Sequence, residues 1–156
     1  MIRTVSNCVL AILSIAGFGL VQPNESSLSP ASLHCEYLVN PGVVDTREPR
    51  LSWVSDSSVR GAGQTAYQVL VSSTPEGLVA NRGDLWDTDK VASDETIQIL
   101  YRGKPLRSRQ QCYWKVRVWD QAGKASVWSR PAQWAMGLLD QSDWSAKWIG
   151  DKSPSV

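Results

Sequence analysis

The chain has 156 residues with 16 Lys and Arg against 15 Asp and Glu, so its formal net charge is +1. This balance lacks the positive excess that nucleic-acid binding requires, and we expect no nucleic-acid partner. The length predicts a single domain. Its eight Trp residues each bring a large apolar surface and an N–H group that needs a partner, which favours a tryptophan-rich β domain.

The first 22 residues differ from the rest of the chain. Arg3 gives a positively charged start, and Cys8–Val21 is an almost uncharged, mostly apolar run. The run is shorter than the roughly 20 residues of a membrane span, and polar residues follow it. We therefore predict a signal peptide over 1–22, with an uncertain cleavage position, and a secreted or periplasmic protein. An uncleaved anchor is the alternative, and no other membrane contact is expected.

After a predicted linker over 23–32, short apolar and polar alternations are separated by turn residues, and no long helical periodicity appears. This pattern is typical of an all-β domain. The first strand is predicted over Leu33–Val39. In the strand around Tyr67, Gln68 is expected to face outward. In three predicted strands before Cys112, the apolar residues expected to share inward faces are Leu51, Trp53, Tyr67, Val69, Val71, Ile97, Ile99 and Tyr101.

The clearest alternation lies in Cys112–Asp120, which predicts a half-buried central strand. Its inward residues are Cys112, Trp114, Val116 and Val118, and its outward residues are Tyr113, Lys115, Arg117 and Trp119. About seven strands with regularly spaced turns favour a β-sandwich, which we place over 33–139. Residues 140–156 form a C-terminal segment beyond it.

Cysteine and histidine give no metal site. Cys35 and Cys112 remain after the predicted signal peptide, and they are either one disulfide or two buried thiols. With His34 they do not supply the four ligands of a zinc site. The cluster of Asp84, Asp87 and Asp89 lacks the residue order of a calcium loop, so solvated turns are expected. No metal and no cofactor is predicted.

The order of several segments resembles the N-terminal module of bacterial α-L-rhamnosidases, from about Leu33 to Gly150. The segments are Cys35–Pro41, Pro49–Trp53, Gln64–Ser73, Leu85–Asp87, Tyr101–Leu106, Tyr113–Asp120, Trp128–Ser129, Gly137–Leu139 and Asp143–Ile149. The resemblance implies a fibronectin type III-like or immunoglobulin-like sandwich. It also implies further β domains and an (α/α)6-barrel that hydrolyses terminal rhamnose. Asp89 stands where a turn Gly is expected, a change that Asp tolerates in the left-handed region.

Catalysis is expected elsewhere in such a protein, because the resemblance puts the catalytic carboxylates in the barrel. None of the acidic residues here matches a catalytic motif, although loops at one end of the sandwich could bring Asp56 and Asp120 together. His34 has no nucleophile elbow to serve. We therefore predict no catalytic residue in this chain.

Tryptophan supplies the only candidates for contact with a sugar or another domain. Trp53 and Trp114 are expected in the core, while Trp86, Trp128 and Trp134 are less clearly placed. Trp119 is predicted on the outer face, where it either contacts another domain or packs under neighbouring long side chains. Trp144 and Trp148 lie where a rhamnosidase would enter its next domain. The candidate interdomain or sugar contacts are Trp119, Trp144 and Trp148.

The resemblance thus predicts a non-catalytic accessory module of an α-L-rhamnosidase-like glycoside hydrolase. Its expected partners are the downstream domains of such an enzyme or another protein chain, with carbohydrate as a further possibility. The alternative is a stand-alone secreted β-sandwich that binds carbohydrate or protein.

Overall fold

Two antiparallel sheets make up the described part of the chain, residues 25–146 of a computed structural model. The first sheet has the strand order β1-β2-β5, and the second has the order β4-β3-β6-β7. The strands are β1 Leu28–Cys35, β2 Arg50–Ser57, β3 Gln64–Ser72, β4 Trp86–Asp87, β5 Ile99–Leu100, β6 Gln111–Asp120 and β7 Ala132–Ala135. A short helix α1, Pro75–Val79, and a 3-10 turn, Gln141–Asp143, complete the elements. The predicted all-β sandwich is confirmed, whereas the predicted signal peptide lies outside the described residues.

The core lies between the inner faces of the two sheets. In the register of β3 with β6, Tyr67 is opposite Val118 and Val69 is opposite Val116. The rings of Trp53 and Tyr67 meet edge to face, with centroids 5.2 Å apart. The six residues predicted to form the core are all buried, namely Trp53, Tyr67, Val69, Trp114, Val116 and Val118. Trp134, which alternation did not place, is also fully buried.

A buried glutamine pairs the indole N–H of Trp53 inside this core. Gln64 accepts a hydrogen bond at Oε1 from the Trp53 indole, at 3.1 Å. Its amide nitrogen donates to the backbone carbonyls of Ser93 and Glu95, at 3.2 and 2.9 Å. The indole N–H of Trp53 is therefore paired inside the core. An unpaired N–H at this buried position would destabilise the fold.

Two strand predictions were wrong, and positive backbone φ angles explain both. β1 begins at Leu28 and ends at Cys35, rather than running from Leu33 to Val39. Its register with β2 shifts near Ser32, which has φ of 51°, and the strand ends where Glu36 and Tyr37 have φ of 49° and 65°. Ile97, which was predicted to face inward, is 63% exposed. Gln98 has φ of 56°, so the alternation that buries Ile99 does not continue back through Gln98 to Ile97.

The outer face of the larger sheet is more covered than the predicted half-buried strand implies. Gln68 lies on this face as predicted, yet it is only 7% exposed. Arg117 Nε donates to the side-chain oxygen of Gln68 at 2.9 Å, and the side-chain amide of Gln68 donates to Asp87 at 2.7 Å. Side chains, rather than another layer of backbone, cover this part of β3 and β6.

Cys35 and Cys112 are buried free thiols. Burial raises the pKa of each thiol to about 12, with smaller contributions from nearby negative groups. Of the two alternatives that the sequence left open, the structure contains the buried thiols. Among residues 25–146, no helix has the length and apolar character needed to cross a membrane.

Candidate functional site

A row of alternating cations and aromatic rings lies on the outer face of the larger sheet. Lys115 Nζ lies 4.9 Å from the centre of the Trp128 ring. Arg117 lies between two rings, 4.7 Å from Trp128 and 5.0 Å from Trp119. Lys90 Nζ lies 4.9 Å from the Trp119 ring. We call these five residues the cation–aromatic ladder, in which the attraction of each cation to a ring face stabilises the packing.

The segment from Ser126 to Ser129, here called the serine strap, positions Trp128 in the ladder. The backbone N–H groups of Val116 and Val118 donate to the hydroxyls of Ser129 and Ser126, each at 3.1 Å. The N–H groups of both serines donate back to the carbonyls of the same two valines, at 2.8 Å. The strap therefore satisfies the β6 backbone where β7 does not reach it.

Lys115 connects the ladder to α1. Its ammonium group donates to the carbonyl of Leu78 and to the side chain of Asn81, each at 2.6 Å. Burial, and to a smaller extent the charge of Arg117, lowers the pKa of Lys115 below its ordinary value. Lys115 thus fixes the short helix against β6.

The ladder leaves little of Trp119 open to a ligand. The residue is 8% exposed, and both Lys90 and Arg117 contact its ring. Cover by long side chains from β6 was one of the two alternatives for Trp119, and the sequence gave no sign that Lys90 would contribute. Whether Trp119 also contacts another domain stays a prediction.

The chain leaves the sandwich through residues 137–143, here called the exit segment, which loops preceding β6 hold at the end of that strand opposite to Trp119. Arg47 forms a 2.6 Å ion pair with Asp140. Ser108 receives a hydrogen bond from the Leu139 backbone at 2.8 Å, and its hydroxyl donates to Asp143. These contacts fix the course of the chain as far as the 3-10 turn.

Trp144 follows this turn and is 57% exposed. The exit segment contacts residues that precede β6, whereas Trp119 lies near the end of that strand. The structure therefore does not bring Trp119 and Trp144 into one site. Trp148, the third candidate, lies outside the described residues.

The acidic residues considered in the sequence hold turns together. Asp120 accepts hydrogen bonds from the backbones of Ala122 and Lys124, both at 2.9 Å. Asp84 accepts from the hydroxyls of Ser72 and Ser73, at 2.7 and 2.6 Å. Asp89 has φ of 50°, the left-handed conformation expected where a turn Gly was replaced. Within 25–146, no group of three or more His, Cys, Asp or Glu residues is arranged to hold a metal ion.

Comparison with known proteins identifies relatives of the whole sandwich. Residues 30–140 match the family model described as the Rha78A-like, N-terminal immunoglobulin domain. An α-L-rhamnosidase from Streptomyces avermitilis is 45% identical over 129 residues, which are 83% of this chain and 12% of that protein. An α-L-rhamnosidase from Alteromonas sp. strain LOR is 46% identical over 125 residues, 79% of this chain and 14% of that protein.

Solved structures agree with the sequence matches. The crystal structure of the Streptomyces avermitilis α-L-rhamnosidase complexed with L-rhamnose has a TM-score of 0.77, covering 81% of this chain and 12% of that one. The α-L-rhamnosidase from Dictyoglumus thermophilum has a TM-score of 0.78 at 41% identity, covering 84% of this chain and 14% of that one. The chain spans only a small part of these relatives. It belongs to the family of Rha78A-like, N-terminal immunoglobulin domains.

Proposed function

We propose that this sandwich is a non-catalytic accessory module of an α-L-rhamnosidase-like glycoside hydrolase, whose activity is hydrolysis of terminal α-L-rhamnose from glycosides. The proposal rests on the match of this chain to the N-terminal domain family and to the two α-L-rhamnosidases. Nearly the whole described sandwich aligns with 12 to 14% of proteins named α-L-rhamnosidase. In such a protein the remaining length holds other domains.

The contribution of the module is to hold the following domain in a fixed orientation. The exit segment is anchored by Arg47 and Ser108, so it leaves the sandwich in a defined direction. Trp144, exposed beside that exit, supplies an apolar surface for the neighbour to cover. The partner is therefore the downstream domain of the same enzyme.

The use of carboxylates in turns supports the absence of catalysis. Glycoside hydrolases place two carboxyl groups across the scissile bond in a substrate pocket. Asp120 caps a turn, whereas Asp56 lies opposite Ser29 in the pairing of β1 with β2. Neither environment provides the enclosed site that this chemistry needs.

We also propose that the protein is exported, on the basis of the charged start and apolar run within 1–22. Mass spectrometry of the extracytoplasmic fraction of the source organism tests both proposals. We expect peptides of this module in one long chain that migrates with rhamnosidase activity, and no peptide that begins at Met1 or Ile2. A native chain of only 17.2 kDa would contradict the module assignment, and an intact N-terminus would indicate an anchor.

A further inference from the structure

A groove opens along the side of the sandwich between β4 and β5. β4 is the edge strand of the four-stranded sheet and β5 is the edge strand of the three-stranded sheet. The groove has a volume of about 490 Å³, and residues from both edges and from the connection between them line it. Lys90 of the cation–aromatic ladder lies in that connection, between the lining residues Thr88 and Val91, whereas the exit segment contributes no lining residue.

The hydroxyl of Tyr67 is the most informative group in this groove. Tyr67 is 8% exposed, and its ring packs against Trp53 in the core. Every fully enclosed side-chain polar atom among the described residues has a hydrogen-bond partner. The Tyr67 hydroxyl bonds to no residue within 25–146, so it must be open to the groove that it lines. A tyrosine buried to this extent normally pairs its hydroxyl with a protein group or with water, so a polar ligand in the groove would replace water at this hydroxyl.

The other groups around the groove provide complementary kinds of contact. Trp86 is held edge to face against Tyr101, with centroids 5.3 Å apart, and forms an apolar wall. Glu95 supplies acceptors and Arg102 supplies donors, and neither forms an ion pair with a described residue. Because the carboxyl groups of Asp87 and Glu95 line the groove together with the guanidinium of Arg102, the groove has no single sign of charge that selects an ion.

We propose that this groove binds one neutral sugar residue. A sugar presents an apolar C–H face, which suits the Trp86 wall, and hydroxyls that both donate and accept, which suit Tyr67, Glu95 and Arg102. The small contact area predicts an affinity in the millimolar range. The binding site goes beyond the proposed role in domain orientation. Only the choice of rhamnose as first probe rests on the proposed function.

Titration of the full 156-residue chain with L-rhamnose, D-glucose and D-galactose, followed by NMR chemical shifts, tests the site. We expect saturable shifts for residues around the groove with at least one of these sugars. Tyr67→Phe removes the hydroxyl and keeps the ring, and should weaken binding about two- to tenfold, as expected for one lost hydrogen bond. Glu95→Gln should weaken it similarly.

Tyr113→Phe is the matched control, because Tyr113 lies on β6 outside the groove, and it should leave affinity unchanged. Thermal unfolding checks that each variant is folded. Absence of saturable binding to all three sugars would overturn the site, as would full affinity in both groove variants. Neither result bears on the domain assignment, because the mass of the native chain tests that assignment separately.

Discussion

Trp114 illustrates how single residues hold the two sheets together. It is 1% exposed in the middle of the second sheet, opposite Val71 on one side and Ala132 on the other. Its side chain fills the space between the sheets, and close-packed interiors do not collapse fully around a lost ring. Stability should therefore depend strongly on this one residue.

Replacing Trp114 by Ala should lower the free energy of unfolding by about 3 to 5 kcal/mol, the usual range for a buried aromatic residue. Equilibrium denaturation with urea measures the change. Val79→Ala is the control, because Val79 is 78% exposed and its truncation should change stability by less than about 0.5 kcal/mol. A loss below about 1 kcal/mol for Trp114→Ala would contradict its place in the core.

Cys35 and Cys112 should be unreactive in the folded protein. Burial raises the pKa of both thiols to about 12, and the thiolate is the reactive form. At mildly alkaline pH, a thiol reagent should label them only after denaturation, and peptide mapping reads Cys8 separately. Rapid labelling of either residue in the native state, or isolation of a Cys35–Cys112 disulfide, would contradict the structure.

At the scale of elements, the serine strap replaces a strand with side chains. β7 pairs with the first half of β6, from Gln111 to Trp114. Beyond that point, the hydroxyls of Ser126 and Ser129 accept the β6 N–H groups that no strand pairs. The strap also holds Trp128 against Lys115 and Arg117, so it connects the edge of the sheet to the ladder.

Ser126→Ala and Ser129→Ala should each lower the free energy of unfolding by about 1 to 3 kcal/mol, because each leaves a buried N–H without its partner. Amide hydrogen exchange locates the effect: Val118 should exchange faster in the first variant and Val116 in the second. Ser58→Ala, in the exposed loop after β2, should change neither rate. Unchanged exchange at both valines would show that the strap is not needed.

The elements also show how far the sequence could be interpreted. In β3 and β6 the alternation is regular, so the inward residues, including Tyr67 and Val118, were predictable from period two. The alternation does not extend through Ser32 or Gln98, because each adopts a positive φ that only Gly signals reliably. For that reason the start of β1 and the orientation of Ile97 were not predictable.

The functional surfaces were less predictable, because they depend on contacts between distant segments. Lys90 covers Trp119 from a loop that lies far from β6 in the sequence. Alternation placed Tyr67 in the core, but only the assembled groove shows that its hydroxyl has no partner among residues 25–146. Residue type alone suggested Trp119, Trp144 and Trp148 as contacts. The two that the structure describes, Trp119 and Trp144, lie in different parts of the described chain.

At the scale of the whole molecule, the sandwich is a domain that matches only 12 to 14% of much longer proteins named α-L-rhamnosidase. The matching family model describes an N-terminal domain, and under the proposed accessory role the next domain begins after the fixed exit segment. Two carboxyl groups, Asp87 and Glu95, do line the β4–β5 groove, so the groove is the place where unexpected catalysis would be sought.

Assay of the purified chain with an aryl α-L-rhamnoside tests the central claim most directly. We predict no turnover above background, since Asp87 already accepts hydrogen bonds from Gln68 and the Asp89 backbone and Glu95 is exposed. Asp87→Asn, Glu95→Gln and the exposed control Glu76→Gln should all match the unchanged chain. Turnover that disappears in either groove variant but persists in Glu76→Gln would contradict the accessory role.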